Sequence, residues 1–150
     1  MSQFPQNLAG VQDPNQLLRL TLEHFGAETG TIHVLESDGL LHLRALAGSL
    51  PPPVLEAIRA IPIGKGIAGL AVERQEPVNL CNLQADSSGA ARPAARATGV
   101  KGSICVPILV DGKAVGALGI GTHQERTFTE DEIALLLEAG RRMGSQLWNS

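Results

Sequence analysis

The chain has 150 residues, of which 43% are hydrophobic and 18% charged, and its formal net charge is −3. This composition is typical of a globular protein, and the length suits one domain, residues 1–150, with a single sizeable core. The slight negative charge and the absence of long basic runs disfavour nucleic acid and anionic membrane surfaces as partners. The sequence contains no apolar run long enough to span a membrane and no signal peptide, so we expect a cytoplasmic location.

The residue types that hold metals and form disulfides are few and scattered. Cys81 and Cys105 have no partner motif nearby, so both are interpreted as free thiols in a reducing compartment. The histidines, at positions 24, 33, 42 and 123, lack metal-ligand spacing. We interpret His33 and His42 as part of an exposed polar face. No metal and no cofactor are predicted.

The first predicted elements are a helix and a hairpin. Asp13 before Pro14 is a typical helix start, and Gly26 is a typical end, which predicts a helix over about 14–26. Asp38-Gly39 then predicts a two-residue hairpin turn. The residues that this turn places opposite each other are Ile32 and Ala45, Val34 and Leu43, His33 and Arg44, and Leu35 and His42.

The stretch 61–74 is the most informative part of the chain. It predicts the end of a strand, a tight turn at Gly64 and Gly66, and a helix that begins at or just after Gly66. The N–H groups of residues 66–68 would then be free to hold a small anion or polar ligand, with the positive charge of Lys65 beside them. The alternative is that the two glycines only turn the chain.

Short elements surround this stretch. Pro51-Pro52-Pro53 could open a helix through Ile58, and residues 77–80 predict a strand. A polar loop at 81–89 precedes an alanine-rich helical segment at 90–98. Arg92 and Arg96 share one face of that segment, where they either meet an anionic ligand or are simply solvated.

A second hairpin and a long helix complete the chain. Residues 103–110 and 113–120 flank the turn Asp111-Gly112, and both faces of this pair are apolar, which predicts a sheet covered on both sides. Pro107 predicts an edge position or a bulge. Thr129 and Glu132 form a capping box for the last helix. Its apolar stripe comprises Ile133, Leu136, Leu137, Gly140, Met143, Gly144 and Leu147.

This order of elements indicates an α+β domain with an antiparallel sheet, and its motifs resemble those of a GAF domain. The motifs are residues 61–69, residues 99–108, Val115-Gly116-Ala117-Leu118 and Phe128-Thr129-Glu130-Asp131-Glu132. The resemblance implies a GAF/PAS-like fold. In that fold the terminal helices pack on one face of the sheet, and a ligand cavity lies under short helices and loops on the other. It also implies a homodimer through the terminal helices, for which Leu18 and Leu136 are our predicted contacts; the alternative is that they belong to the core.

The resemblance does not extend to the chemistry of specialised members. The Cys-His pair of bilin-binding members is missing, since Cys81 precedes Asn82. Cyclic-nucleotide-binding members share an Asn-Lys pair that is also missing. The three cysteine positions of free methionine-(R)-sulfoxide reductase fall at Ile58, Ala68 and Arg96, and its strand carboxylates fall at Gly119 and Gly121. We therefore predict no catalytic residues and no reductase activity.

The sequence thus predicts a non-catalytic, stand-alone sensor of a small polar or anionic molecule such as nitrate, signalling to a partner such as a histidine kinase. The predicted ligand-binding residues are Lys65, Gly66, Ile67, Ala68, Arg96, Cys105 and Gly119. One alternative is a redox enzyme that uses Cys81 and Cys105. The other is a dimerisation or interaction module whose pocket is vestigial.

Overall fold

The computed structural model of the protein describes residues 4–48, 50–80 and 100–147. The predicted segment 81–98 and Trp148 lie outside the described residues, and with them Cys81, Arg92 and Arg96. After a short 3-10 turn at Gln6–Leu8, the described elements are α1 (Pro14–Phe25), β1 (Thr29–Leu35), β2 (Leu40–Ala47), α2 (Pro52–Ile58), β3 (Ala60–Pro62), α3 (Gly66–Arg74), β4 (Val78–Leu80), β5 (Gly102–Val110), β6 (Lys113–Thr122) and α4 (Glu130–Leu147).

The strands form one six-stranded antiparallel sheet in the order β3-β2-β1-β6-β5-β4. The two predicted hairpins, β1–β2 and β5–β6, are joined at the centre of the sheet because β1 pairs with β6. This arrangement confirms the predicted α+β class.

Each face of the sheet carries its own hydrophobic cluster, as the apolar character of both faces of β5 and β6 predicted. The larger cluster joins α1 and α4 to one face. The smaller cluster packs α3 against the other face, around Leu41, Ile61, Val72 and Val78. Helices therefore cover both faces, and the terminal pair lies opposite the short ones.

Helix α1 begins and ends, and α4 begins, as the sequence predicts. The Asp13 carboxylate accepts a hydrogen bond from the amide of Asn15 (3.2 Å), and Gly26 has the left-handed conformation that ends α1. At α4, the Thr129 hydroxyl accepts from the amide of Glu132 (3.1 Å) and the Glu132 carboxylate accepts from the amide of Thr129 (2.9 Å). The predicted capping box is confirmed.

The apolar stripes of these helices serve the core of the single chain. Leu18 is 0% exposed and Leu136 is 1% exposed. Side chains so enclosed cannot meet a second copy, so their prediction as dimer contacts is wrong, and the alternative of core residues is correct. The apolar stripes have the predicted helical spacing, but their side chains pack inward against the sheet of the same chain.

The first hairpin differs from its predicted register. Ile32 pairs with Ala45 as expected, but a bulge between Ile32 and His33 shifts every later pair by one residue. The pairs beyond the bulge are His33 with Leu43, Val34 with His42, and Leu35 with Leu41. The turn is also longer than two residues, since the amide of Glu36 donates to Leu40 and that of Gly39 donates to Glu36. His33 is buried, so its prediction as an exposed residue is wrong.

The second hairpin follows its prediction. Asp111 and Gly112 both have positive φ, +53° and +79°, which is the geometry of a tight two-residue turn. Pro107 lies past the end of β4, which pairs only with residues 103–105, so its missing N–H removes no hydrogen bond to that strand. The bulge in this hairpin falls next to it, between Ile108 and Leu109.

Candidate functional site

The turn before α3 is built from three glycines with two different roles. Gly64 and Gly66 have φ of +88° and +64°, a conformation that other residues rarely adopt. Gly69 instead permits close approach, because a Cβ atom there would lie 2.5 Å from the carbonyl oxygen of Pro62. The amide of Gly64 donates to Gly69 (2.9 Å) and the amide of Lys65 donates to Pro62 (3.1 Å), so the turn packs directly on the helix.

The start of α3 presents free backbone donors. The first helical hydrogen bond runs from the amide of Gly69 to the carbonyl of Lys65 (3.1 Å). Across the described parts of the chain, the amides of Gly66, Ile67 and Ala68 have no hydrogen-bond partner, and the Lys65 side chain does not cap them. No acidic residue lies in the first turn of α3. The first turn of α3 therefore supplies no negative charge to offset the positive end of the helix dipole.

The three residues that carry these amides line a cavity of about 180 Å³ between the sheet, α2 and the start of α3. Its lining is mostly apolar and comes from all three elements. The residues that line it are Thr29, Gly30, Thr31, His33, Leu46, Ala47, Leu50, Val54, Ala57, Ile58, Ile61, Gly66, Ile67, Ala68, Val100, Ser103, Ile104, Cys105, Gly119, Ile120 and Gly121.

The cavity floor consists of two glycines of β6 with a small polar side chain on either side. Gly121 pairs with Thr29 of β1 and with Ser103 of β5. Gly119 pairs with Thr31 and with Cys105 in the next row. Because side chains two residues apart on a strand share a face, both rows point into the cavity. The central strand thus contributes no side chain to the floor, and the hydroxyls and the thiol border the gap.

Cys105 is buried, and desolvation raises the pKa of its thiol to about 12. The group is therefore a neutral thiol at physiological pH. Since the thiolate is the reactive nucleophile, Cys105 in this environment is a small apolar wall residue and not an activated cysteine.

His33 belongs to the same cavity and was missed as a site residue. Its side chain is 2% exposed, and its Nε2 lies 2.9 Å from the carbonyl oxygen of Ile58 at the end of α2. Burial lowers the pKa of the imidazole below its usual value, although the hydrogen bond to Ile58 partly offsets this effect. The ring is therefore neutral at pH 7, and because a carbonyl only accepts, Nε2 carries the proton.

The predicted site residues fall into three groups. Gly66, Ile67, Ala68, Cys105 and Gly119 all line the cavity. Lys65 is exposed and is not among the lining residues, so its charge is not part of the cavity wall. Arg96 lies outside the described residues.

Four polar residues of the cavity were not predicted as site residues: Thr29, Thr31, His33 and Ser103. A signal for three of them was present, because Thr29, Thr31 and His33 alternate along one strand. This alternation identifies cavity residues only once the pairing of β1 with β6 is known, and that pairing joins residues about ninety positions apart.

Two further properties concern the described residues alone. No group of three or more His, Cys, Asp or Glu side chains within residues 4–48, 50–80 and 100–147 is arranged to hold a metal ion. Every helix seen in those ranges is too short or too polar to cross a bilayer.

A central antiparallel sheet with terminal helices on one face and a cavity under short helices on the other defines the GAF/PAS-like class of α+β domains. The family model for the GAF domain matches residues 11–147, and this chain belongs to that family. No curated protein matches the sequence significantly.

Solved structures with the same fold include a free methionine-R-sulfoxide reductase and GAF domains of phosphoenolpyruvate-protein phosphotransferases. The free methionine-R-sulfoxide reductase of Neisseria meningitidis, in complex with its substrate, has a TM-score of 0.77 at 20% identity, covering 95% of this chain and 83% of that one. The GAF domain of a Coxiella burnetii phosphoenolpyruvate-protein phosphotransferase has a TM-score of 0.77 at 23% identity, covering 96% and 88%. The Acinetobacter counterpart has a TM-score of 0.73 at 19% identity, covering 91% and 80%. Identities this low establish the shared fold alone.

Proposed function

We propose that the protein is a non-catalytic, cytoplasmic sensor that binds a small polar or anionic molecule in this cavity and signals its occupancy to a partner protein. One observation carries the proposal. Three backbone amides at the start of α3 are without partners among the described residues, and the residues that carry them, Gly66, Ile67 and Ala68, line the cavity. Such amides favour an anion or a carbonyl oxygen, since the helix dipole and the N–H groups act together.

The size of the cavity supports a small ligand. An enclosed cavity of about 150 Å³ holds one benzene molecule, so about 180 Å³ suits a ligand of similar or slightly larger size. A nucleotide or a bilin is several times larger. The absence of the bilin and cyclic-nucleotide motifs from the sequence points the same way.

The enzyme alternative is disfavoured by the environment of Cys105. A reductase needs a thiolate to attack the sulfoxide, and burial raises the pKa of this thiol to about 12. The positions where the reductases carry strand carboxylates are Gly119 and Gly121 here. The enzyme reading predicts loss of thioredoxin-dependent methionine sulfoxide reduction in Cys105→Ser, whereas we expect no such activity in either protein.

Signal transfer requires that the ligand bind one conformation better than another. We propose that α1 and α4 carry this difference to a homodimer partner or to a signalling protein such as a histidine kinase. With Leu18 and Leu136 in the core, the proposed contact uses the outer faces of these helices. Sedimentation at several protein concentrations tests the homodimer. If the proposal is correct, the measured molecular mass is twice that of one chain.

A thermal-shift screen of nitrate, formate, short carboxylates and amino acids tests ligand binding. At a hundredfold its Kd, a ligand adds about 2.7 kcal/mol to the free energy of unfolding. For a chain of 150 residues this raises the Tm by roughly 5–11 °C. A result with no shift for any compound would contradict the proposal and favour a vestigial pocket.

A matched pair of variants on α2 locates the binding. Ala57→Leu adds three carbon atoms to the cavity roof, whereas Glu56→Leu places the same leucine side chain at an exposed neighbouring position. We expect Ala57→Leu to abolish the ligand-induced shift and Glu56→Leu to retain it. Retention in both variants would place the binding elsewhere.

A further inference from the structure

The accessible part of the cavity floor is the row that Thr31 and Gly119 form across β1 and β6. Gly119 is partly exposed although it lies in a central strand, whereas Gly121, the next glycine of the floor, is buried. Thr31 is likewise partly exposed, between the buried residues Gly30 and Ile32. Because Thr31 and Gly119 both line the cavity, a molecule inside it can reach this row.

The Thr31 hydroxyl borders the space above Gly119. A Cβ atom at Gly119 would lie 3.3 Å from Thr31 Oγ1, its nearest neighbour, and 3.7 Å from Cys105 Sγ. The oxygen of Thr31, and not its methyl group, is therefore the part of this side chain that faces the space. A ligand atom above Gly119 would lie between the hydroxyl and the thiol.

The Thr31 hydroxyl has no hydrogen-bond partner among the described residues. The two threonines that are fully buried differ from it in this respect. Thr21 donates to the carbonyl oxygen of Leu17 (2.8 Å), and Thr122 donates to that of Gln124 (2.7 Å). The Thr31 oxygen is also not one of the fully enclosed polar atoms that lack a partner, so it is both unpaired and accessible.

The surroundings of this hydroxyl favour an oxygen atom of the ligand. A hydrocarbon group above Gly119 would bury the hydroxyl without a partner, which costs free energy. An ammonium group would be buried without a counter-charge, since none of the lining residues that the structure describes is Asp, Glu, Lys or Arg. A carboxylate, nitrate or carbonyl oxygen accepts from the hydroxyl and avoids both costs.

From these constraints we infer that Thr31 determines ligand specificity on the cavity floor. Its hydroxyl donates to an oxygen atom of a small carboxylate, nitrate or carbonyl compound that lies above Gly119. This inference rests on the proposed sensing function and adds a contact residue and the chemistry that it selects. It does not depend on the amides at the start of α3.

Isothermal titration calorimetry with isosteric variants tests the inference. The probes are sodium nitrate, sodium formate, sodium acetate and the free amino acid glycine, which differs from acetate by an ammonium group. Thr31→Val replaces the hydroxyl by a methyl group and retains a residue type that strands favour. We expect it to raise the Kd of the tightest-binding probe about tenfold, the equivalent of one hydrogen bond. We expect free glycine to bind the unaltered protein more weakly than acetate.

Two threonines serve as matched controls. Thr29→Val removes a hydroxyl from the same face of β1, but next to the buried Gly121, where Val100 already fills the space. It should raise the Kd clearly less than Thr31→Val does. Thr127→Val, at an exposed threonine that does not line the cavity, should leave the Kd unchanged.

A second measurement needs no ligand. Because the Thr31 hydroxyl has no partner among the described residues, its replacement by a methyl group removes no hydrogen bond between them. The Tm of ligand-free Thr31→Val should therefore equal or exceed that of the unaltered protein. A lower Tm, or a failure to fold, would show that the protein itself uses the hydroxyl and would overturn the inference.

The possible failures are distinguishable. Probe binding that Thr31→Val leaves unchanged, or that Thr29→Val weakens as much, would overturn the role of Thr31 and leave the sensing proposal standing. Tighter binding of free glycine than of acetate would also overturn the inference alone. No binding of any probe to the unaltered protein would overturn the inference and the proposed function together.

Discussion

At the scale of single residues, Gly119 and Gly121 of β6 leave the cavity floor without side chains from that strand. The space above each glycine differs. A Cβ atom at Gly121 would lie 2.7 Å from both Thr29 Oγ1 and Val100 Cγ1, which is far too close. At Gly119 the nearest atom would be Thr31 Oγ1 at 3.3 Å, and the others are more distant. The two positions therefore differ in packing although they carry the same residue.

This difference gives a matched prediction. Gly121→Ala should lower the free energy of unfolding by about 1–3 kcal/mol, because two neighbours must move. Gly119→Ala should cost clearly less, since the Thr31 side chain can turn away. Urea unfolding of both variants measures the difference, and equal losses would contradict this account of the floor.

The buried imidazole predicts a pH dependence of stability. Burial lowers the pKa of His33 in the folded protein below 6.5, whereas the unfolded chain retains about that value. As the pH falls below 6.5, the unfolded state binds a proton first, so the stability decreases until the folded-state pKa is passed. At higher pH this contribution is fully present.

Urea unfolding between pH 7.5 and 5.5, about one pH unit on either side of the usual imidazole pKa, measures this dependence. His33→Gln should flatten the profile, while His123→Gln, at an exposed histidine, should leave it unchanged. If His33→Gln retained the full loss of stability on acidification, the neutral buried imidazole would not be its source.

At the scale of elements, the packing of the terminal helices leads to a prediction about the core. Leu18→Ala should lower the free energy of unfolding by about 2–5 kcal/mol, because the side chain is 0% exposed and its removal leaves a cavity. Leu20→Ala, a half-buried leucine on the same helix, should cost less. If Leu18→Ala lost little free energy of unfolding and sedimented as a monomer where the unaltered protein is a dimer, Leu18 would be an interface residue after all.

The elements that local chemistry determines were predictable from the sequence. Asp13, Gly26 and the Thr129–Glu132 box mark helix ends through their own hydrogen bonds and φ angles. The bulge after Ile32 was not predictable, because an alternating strand accepts either register until its neighbours are known. The position of His33 depended on that bulge and on the neighbouring α2.

At the scale of the whole molecule, the order of elements and the family resemblance predicted the class of fold and the face that carries the cavity. Five of the seven predicted site residues line the cavity, because they belong to the start of α3 or to the strands next to it. The polar residues of β1 were missed because they reach the cavity through the long-range pairing of β1 with β6. Local sequence carries little information about such a pairing.

The central claim is that the amides at the start of α3 bind a small ligand, and an NMR titration of ¹⁵N-labelled protein tests it most directly. Sodium nitrate and sodium formate would be added at millimolar concentrations, with sodium chloride as the control. We predict saturable shifts of the Ile67 and Ala68 amide signals, with no comparable change at Gly39 in the distant hairpin turn. Amide signals of α3 that stay in place through every titration would contradict the claim.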